Sequence, residues 1–236
     1  MKQVAQLALA VQLPDDENFD SFQSEANHAV VKQLQDFIDG KSALENQPHG
    51  FYLFGIGGVG KSHLLHASTA YAALLGKSSL CLSFSELKLL SVEMLDGLEQ
   101  IDLICLDDLH LIAGDDVWQQ AVFDLYNRVV EQNKRLLITG NQSAQQLGIT
   151  LPDLVSHISW GYTEQLKVIS DSEKIKALQY RALQRGLILH DDVVKFLLNR
   201  LSRDMRSLIK TLDILDKASI REQRKITIPF IKETLL

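Results

Sequence analysis

Phe51-Tyr52-Leu53-Phe54-Gly55-Ile56-Gly57-Gly58-Val59-Gly60-Lys61-Ser62-His63-Leu64-Leu65 decides the fold. Four apolar residues lead into an octet, Gly55 to Ser62, that fits G-x-x-x-x-G-K-[ST] completely, and a helical pattern from His63 to Leu75 follows. Strand, glycine-rich turn and helix in that order form a phosphate cradle. The glycines let the backbone amides of Gly55, Ile56, Gly57, Gly58, Val59 and Gly60 curl around phosphate oxygens, and the helix N-terminus adds positive potential. Lys61 is then placed to reach the β- and γ-phosphates, and Ser62 to ligate Mg²⁺. A plain glycine turn between strand and helix is the competing reading, and Lys-Ser at the required offset argues against it.

Outward from this stretch, short apolar runs alternate with helical patterns. The runs are Leu80–Phe84, Leu103–Leu106 and Leu136–Thr139, with a possible fifth strand at Gln165–Ile169. Helical patterns are expected near Ser85–Leu95, Val117–Glu131 and Ala144–Leu147, and upstream through Ala29, Val30, Leu34, Phe37 and Ile38. Such alternation predicts an α/β fold, a parallel sheet covered by helices on both faces. After Ser170 the pattern turns all-helical. Ser170-x-x-Glu173 reads as a capping box, Gly186 as a helix stop, Asp191 and Asp204 as openings of two further helices, and Pro229 as the start of a short last one. The expected organisation is a tail and linker at 1–20, a nucleotide-binding α/β domain at 21–170 and a small helical subdomain, a lid, at 171–236.

Composition narrows the class. The chain has 236 residues, 46 % hydrophobic and 23 % charged, which excludes a disordered, collagen-like or coiled-coil protein. No apolar stretch is long enough for a transmembrane helix, and Gln3, Gln6 and Gln12 make the N-terminus a poor secretory signal, so a cytoplasmic protein is expected. Cys81 and Cys105 each sit in an apolar run and read as buried thiols. The net charge of −6 divides into −11 before Asp171 and +5 from there on. That total argues against broad nonspecific DNA binding.

Two further strand ends carry polar groups. Ile101-Asp102-Leu103-Ile104-Cys105-Leu106-Asp107-Asp108 is an apolar strand ending in paired carboxylates. Asp107 is suited to hold Mg²⁺ through water, and Asp108 to orient or deprotonate an attacking water. Leu136-Leu137-Ile138-Thr139-Gly140-Asn141 ends in an amide that would lie beside Asp107 in the same sheet, close to a γ-phosphate.

P-loop, acidic pair, polar residue at Asn141 and helical lid, in this order, resemble an AAA+ nucleotide-binding module. The resemblance implies a lid arginine that senses nucleotide, with Arg206 in Ser202-Arg203-Asp204-Met205-Arg206 the matching candidate. The chain is similar to the ATPase domain of the DnaA initiators, and more closely to the Hda-like regulators of DnaA. Ser62-His63-Leu64-Leu65-His66-Ala67, Phe123-Asp124-Leu125-Tyr126-Asn127-Arg128, Leu151-Pro152-Asp153-Leu154 and Arg224-Lys225-Ile226-Thr227-Ile228-Pro229-Phe230 carry that likeness.

The resemblance implies several roles. Gln6-Leu7-Ala8-Leu9-Ala10-Val11 matches a peptide that binds the DNA polymerase III β sliding clamp, with Gln6 at the pocket edge and Leu7, Leu9 and Val11 in apolar subsites; Ala10 stands where the family has proline. Asn18-Phe19-Asp20-Ser21-Phe22 matches the adenine-contacting linker, with Phe19, Phe22, Gln23 and Ser24 near the base and His63 on the P-loop helix. The family's arginine finger falls on His157 in Ser156-His157-Ile158-Ser159-Trp160-Gly161. Histidine is shorter and largely neutral at pH 7, which puts finger-dependent activation of a partner in doubt. The implied function is regulatory: ADP or ATP with Mg²⁺, the clamp and DnaA as partners, promotion of hydrolysis of DnaA-bound ATP, and assembly as a homo-oligomer or AAA+ hetero-oligomer, without sequence-specific DNA binding or membrane attachment. A DnaC-type helicase loader acting as an autonomous ATPase, or a paralogue without inactivator activity, stays open at this point.

Overall fold

The computed structural model describes residues 17–40, 48–200 and 204–235. In chain order these form α1 (His28–Asp39), β1 (Gly50–Phe54), α2 (Lys61–Leu74), β2 (Ser79–Ser83), α3 (Phe84–Leu87), β3 (Leu103–Asp107), α4 (Asp116–Glu131), β4 (Arg135–Gly140), α5 (Pro152–Trp160), β5 (Tyr162–Gln165), α6 (Asp171–Gln184), α7 (Asp191–Arg200), α8 (Met205–Glu222) and α9 (Ile228–Leu235). The strands pair in parallel in the order β2-β3-β4-β1-β5. β4 lies between β1 and β3, so the carboxyl ends of these three strands emerge together on one edge. In open parallel sheets that edge is where ligands bind.

Side chains alternate across the pleat and divide the core in two. Phe51, Leu53, Leu103, Cys105 and Leu137 pack with residues of α1 and α2 on one face. Tyr52, Ile104, Leu106, Leu136 and Ile138 pack with residues of α4 and α5 on the other. Both faces are covered, as the near-continuous apolar strands require. α6 to α9 form the lid around a separate core that includes Leu178, Leu197, Leu208, Leu212 and Phe230. The capping box at Ser170 is present in both directions, and Asp204 caps α8 by accepting from Ser207 N at 3.0 Å. Asp191 belongs to the first turn of α7, one step inside the cap position expected for it. Among the described residues no helix is long and apolar enough to cross a membrane.

Three expected elements differ. The fifth strand is Tyr162–Gln165, earlier than Gln165–Ile169. It is an edge strand paired only with β1, so its side chains are alternately exposed and half-buried and no apolar run marks it. It ends where Leu166 turns into the core and Lys167 N is captured by Asn27 Oδ1 at 2.8 Å. The helix expected at Ser85–Leu95 is one turn, α3, followed by a 3₁₀ turn at Val92–Leu95. Ser91 is extended between them, which lets Phe84, Leu87 and Leu95 reach the core from separate turns. Ala144–Gln146 is likewise a 3₁₀ turn. α5 carried no periodic signal beyond Leu154 and Ile158, four apart, with Pro152 opening it.

Candidate functional site

A cavity of about 740 Å³ lies between the carboxyl edge of the sheet and the lid. Gly57 to His63 form its floor, Asp108, His110 and Asn141 one end, Ser21 to Ser24 the other, and Arg181 with Asp204 to Arg206 its lid side. Gly57 to Ser62 of the octet that reads as a P-loop therefore line a cavity, at the N-terminus of a fourteen-residue helix, and Gly55 and Ile56 do not. Gly58 and Gly60 have φ of 80° and 100°, in the left-handed region that suits glycine. Close approach fixes them as well: a Cβ on Gly60 would lie 2.6 Å from the Phe22 ring, and one on Gly58 2.5 Å from Asp204 Oδ1. A Cβ on Gly57 would meet nothing within 4 Å, since that residue faces the cavity.

Lys61 is buried, and its Nζ donates to Gly55 O at 2.7 Å and Ile56 O at 3.2 Å. Gly55 and Ile56 thus hold the lysine with their carbonyls. Burial lowers the Lys61 ammonium from its ordinary value, against the opposing pull of Asp108 and Asp107. Ser62 Oγ donates to Asp107 Oδ2 at 2.6 Å. Thr139 Oγ1 donates to the other Asp107 oxygen and accepts from Asp108 N at 3.0 Å. Asp107 and Thr139 come together because β3 and β4 are in register one residue earlier, at Leu106 and Ile138. Asp108 follows in a left-handed conformation, φ 62°, which turns its carboxylate toward the cavity. Burial, then the charge of Asp107, raises the Asp108 carboxyl. Arg206 on α8 is exposed and lines the lid side, near enough for its charge to act on both Lys61 and Asp108.

The end of the cavity away from Asp108 is built from the linker. Phe22, Gln23 and Ser24 line the cavity, whereas the Phe19 ring packs edge-on against Tyr71 at 5.6 Å and contributes to the core. His63 is held edge-on by Phe22, at 5.4 Å. His157 does not line this cavity. Its ring lies against Phe123 and Tyr126 at 5.0 and 5.1 Å, and its Nδ1 donates to Asp153 O at 2.8 Å. With that proton engaged, the neutral ring has only the Nε2 lone pair to present elsewhere. Gln6, Leu7, Leu9 and Val11 lie outside the described residues.

Several participants escaped the sequence reading. Thr139 was visible as the only hydroxyl in an aliphatic run, one residue beyond the matched register. Glu17 and Arg181 gave no local signal, because the linker and the lid bring them in from elsewhere; Asp204 was legible only as a helix opening, and His110, in the turn after Asp108, was not singled out.

The Asp107–Ser62 pair and the cradle fit a nucleotide phosphate with Mg²⁺. Among the described residues no group of three or more His, Cys, Asp or Glu could hold a metal alone. Mg²⁺ commonly takes one or two protein ligands plus phosphate oxygens and water, which suits this pair.

Residues 171–235 match the family model for the Hda lid domain, and residues 87–165 match that for the bacterial DnaA ATPase domain. Domain III of the Thermotoga maritima replication initiation protein DnaA superposes with a TM-score of 0.79, at 17 % identity, over 94 % of this chain and 97 % of that one. AMPPCP-bound DnaA from Aquifex aeolicus gives 0.66 at 20 % identity, over 90 % and 71 % of the two chains. DnaI gives 0.51 at 22 % identity, over 61 % and 82 %. These structural likenesses speak to the fold, and the two family matches fall on the α/β domain and on the lid. The chain is thus similar to Hda over its lid and to the bacterial DnaA ATPase domain over residues 87–165, on the fold of DnaA domain III.

Proposed function

We propose that this chain is a regulatory AAA+ protein that binds ADP or ATP with Mg²⁺, associates with the DNA polymerase III β sliding clamp through residues 6–11, and promotes hydrolysis of DnaA-bound ATP, limiting replication initiation. The observation that carries the reading is one cavity with two walls: Lys61, Ser62–Asp107 and Asp108 on the α/β side and Arg206 on the lid side. Lys61 leaves its two carbonyls to meet phosphate oxygens, and Arg206 meets them from above, so occupancy ties the lid to the body. Mg²⁺ at Ser62 and Asp107 would neutralise phosphate charge there. Asp108, with its raised carboxyl, is placed to hold a water at the γ-phosphate end beside Asn141. The bound nucleotide then stabilises the fold and sets the lid angle more than it powers work.

His157 is the partner-facing element of this reading. A supplied arginine is worth ~10³–10⁵ in rate in related phosphoryl-transfer systems. The His157 ring, engaged with Asp153 O and two aromatic rings, offers less, so stimulation of DnaA is weak and His157→Arg raises it. The test is DnaA ATP turnover with this protein, with and without DNA-loaded clamp, for wild type, His157→Arg and a chain lacking residues 1–11. Clamp-dependent stimulation that grows in His157→Arg and vanishes in the truncated chain is expected. Turnover by this chain alone, driven by a helicase or by DNA and indifferent to the clamp, would favour the helicase-loader reading instead.

A further inference from the structure

We infer that Arg181 is a positioning residue for the base of the bound nucleotide, acting through the ring of His63 on the loop of residues 18–24. This deepens the nucleotide reading above and rests on it.

Arg181 sits on lid helix α6 and is 2 % exposed. A guanidinium taken out of water needs partners of good geometry, or it costs several kcal/mol. Its Nη2 donates to Glu17 Oε1 at 3.1 Å and to His63 Nδ1 at 2.9 Å. One lid side chain therefore grips both the linker, at Glu17, and the helix that follows the P-loop, at His63.

The His63 contact carries more information than an anchor. Arginine has donors and no acceptor, so Nδ1 of His63 must present its lone pair, and the ring proton is on Nε2. Nε2 lies 3.0 Å from Asn18 O and 3.0 Å from Ser21 Oγ. Asn18 O can only accept, so an Nε2–H bonds there and an Nε2 lone pair would be repelled. Ser21 Oγ donates to the same carbonyl at 2.8 Å, and the turn is closed by Asn18 N to Ser21 Oγ at 3.1 Å and Ser21 N to Asn18 Oδ1 at 2.9 Å. Phe22, Gln23 and Ser24 leave this turn directly as the base-end wall of the cavity. The lid guanidinium at Nδ1 and the Asn18 carbonyl at Nε2 thus hold one imidazole in a single tautomer, that tautomer holds one turn, and the turn aims the wall. An Arg181–Glu17 ion pair alone would fasten the lid with no consequence for the base.

The test separates these roles by comparing ADP with pyrophosphate, which has no base, in calorimetry with Mg²⁺. Arg181→Lys keeps a cation for Glu17 but is shorter, lacks the planar fork and withdraws the donor from His63. ADP binding is expected to weaken about tenfold in Arg181→Lys, with pyrophosphate binding unchanged within about twofold. On a His63→Leu background the same substitution should cost ADP binding nothing further. Ring ¹⁵N shifts of His63 should show a bare Nδ1 and protonated Nε2 in the wild type, and a tautomer mixture in Arg181→Lys. Equal losses for ADP and pyrophosphate, additive losses in the double variant, or an unchanged tautomer would overturn the proposal and leave Arg181 as a lid anchor. A wild-type protein that binds pyrophosphate but gains nothing from the base of ADP would overturn it as well. Failure of the wild type to bind either ligand would overturn the nucleotide reading itself, a result none of the Arg181 outcomes mimics.

Discussion

The two ends of the cavity, the P-loop end proposed for the phosphates (the phosphate end) and the linker end proposed for the base (the base end), are built in opposite ways. At the phosphate end, an unbroken octet supplies the cradle, and neighbouring strand ends supply Asp107, Thr139 and Asp108 through sheet register. At the base end, Glu17, His63 and Arg181 come from the linker, the P-loop helix and the lid, and Arg181 is joined to the other two by hydrogen bonds across 164 and 118 residues of chain. The cradle and its acids at one end lie within the α/β domain, with Arg206 added from the lid, while the hydrogen-bonded cluster at the other end exists only with the lid docked. Damage to the two ends should therefore read out differently.

The largest effect is expected at Glu17. Burial on its own would raise this carboxyl, but the hydrogen bond from His66 and the charge and hydrogen bond of Arg181 outweigh it and hold it down at about 2. A carboxyl lowered from 4.5 to about 2 stabilises the folded state fully above about pH 4.5, and that contribution fades as pH falls toward about 2. Glu17→Gln also removes one counter-charge from the Arg181 guanidinium. It should cost about 2–4 kcal/mol in urea unfolding at pH 7, with the gap to wild type closing as pH falls below about 4. Equal stability at pH 7 would mean that the base-end cluster does not fasten the lid.

Arg206→Ala removes the lid cation that lines the cavity and acts on Lys61 and Asp108. It should weaken ADP binding by about 1.5–3 kcal/mol without changing unfolding of the nucleotide-free protein. Arg206 is exposed, so its loss removes no partner from a buried group, whereas the loss of Glu17 takes one from buried Arg181. An unchanged dissociation constant would make it a solvated helix arginine and confine lid coupling to the base end.

Thr139→Val should have the smallest effect. It removes the hydroxyl that links Asp107 to the backbone of Asp108 and leaves the strand packing intact. A loss of about 1 kcal/mol in Mg²⁺-dependent nucleotide binding is expected, with Mg²⁺-free binding unaffected. Loss in both conditions would place Thr139 in the scaffold.

The same contrast explains what was legible in the sequence. The phosphate end was readable because its chemistry is local: Gly55 to Ser62 is contiguous, and Asp107 and Asn141 mark strand ends. The sheet was readable from four apolar runs, and the lid from its caps at Ser170 and Asp204. β5 was displaced because an edge strand needs no apolar run, and the helix after β2 was overextended because extended Ser91 breaks a pattern that looks periodic. Arg181 could not be assigned. A helical arginine with no local partner looks solvated, and only the docking of α6 on the linker buries it against Glu17 and His63. His66 was likewise legible only as part of a family stretch, and its role as a Glu17 partner depends on where residue 17 comes to lie.

The central claim, that the cavity between sheet and lid holds an adenine nucleotide by its phosphates, is tested most directly by calorimetry of ADP with Mg²⁺ on wild type and Lys61→Ala. Saturable binding by the wild type, weakened at least tenfold in Lys61→Ala at unchanged thermal stability, is the predicted result. Equal affinity in the two proteins would contradict it.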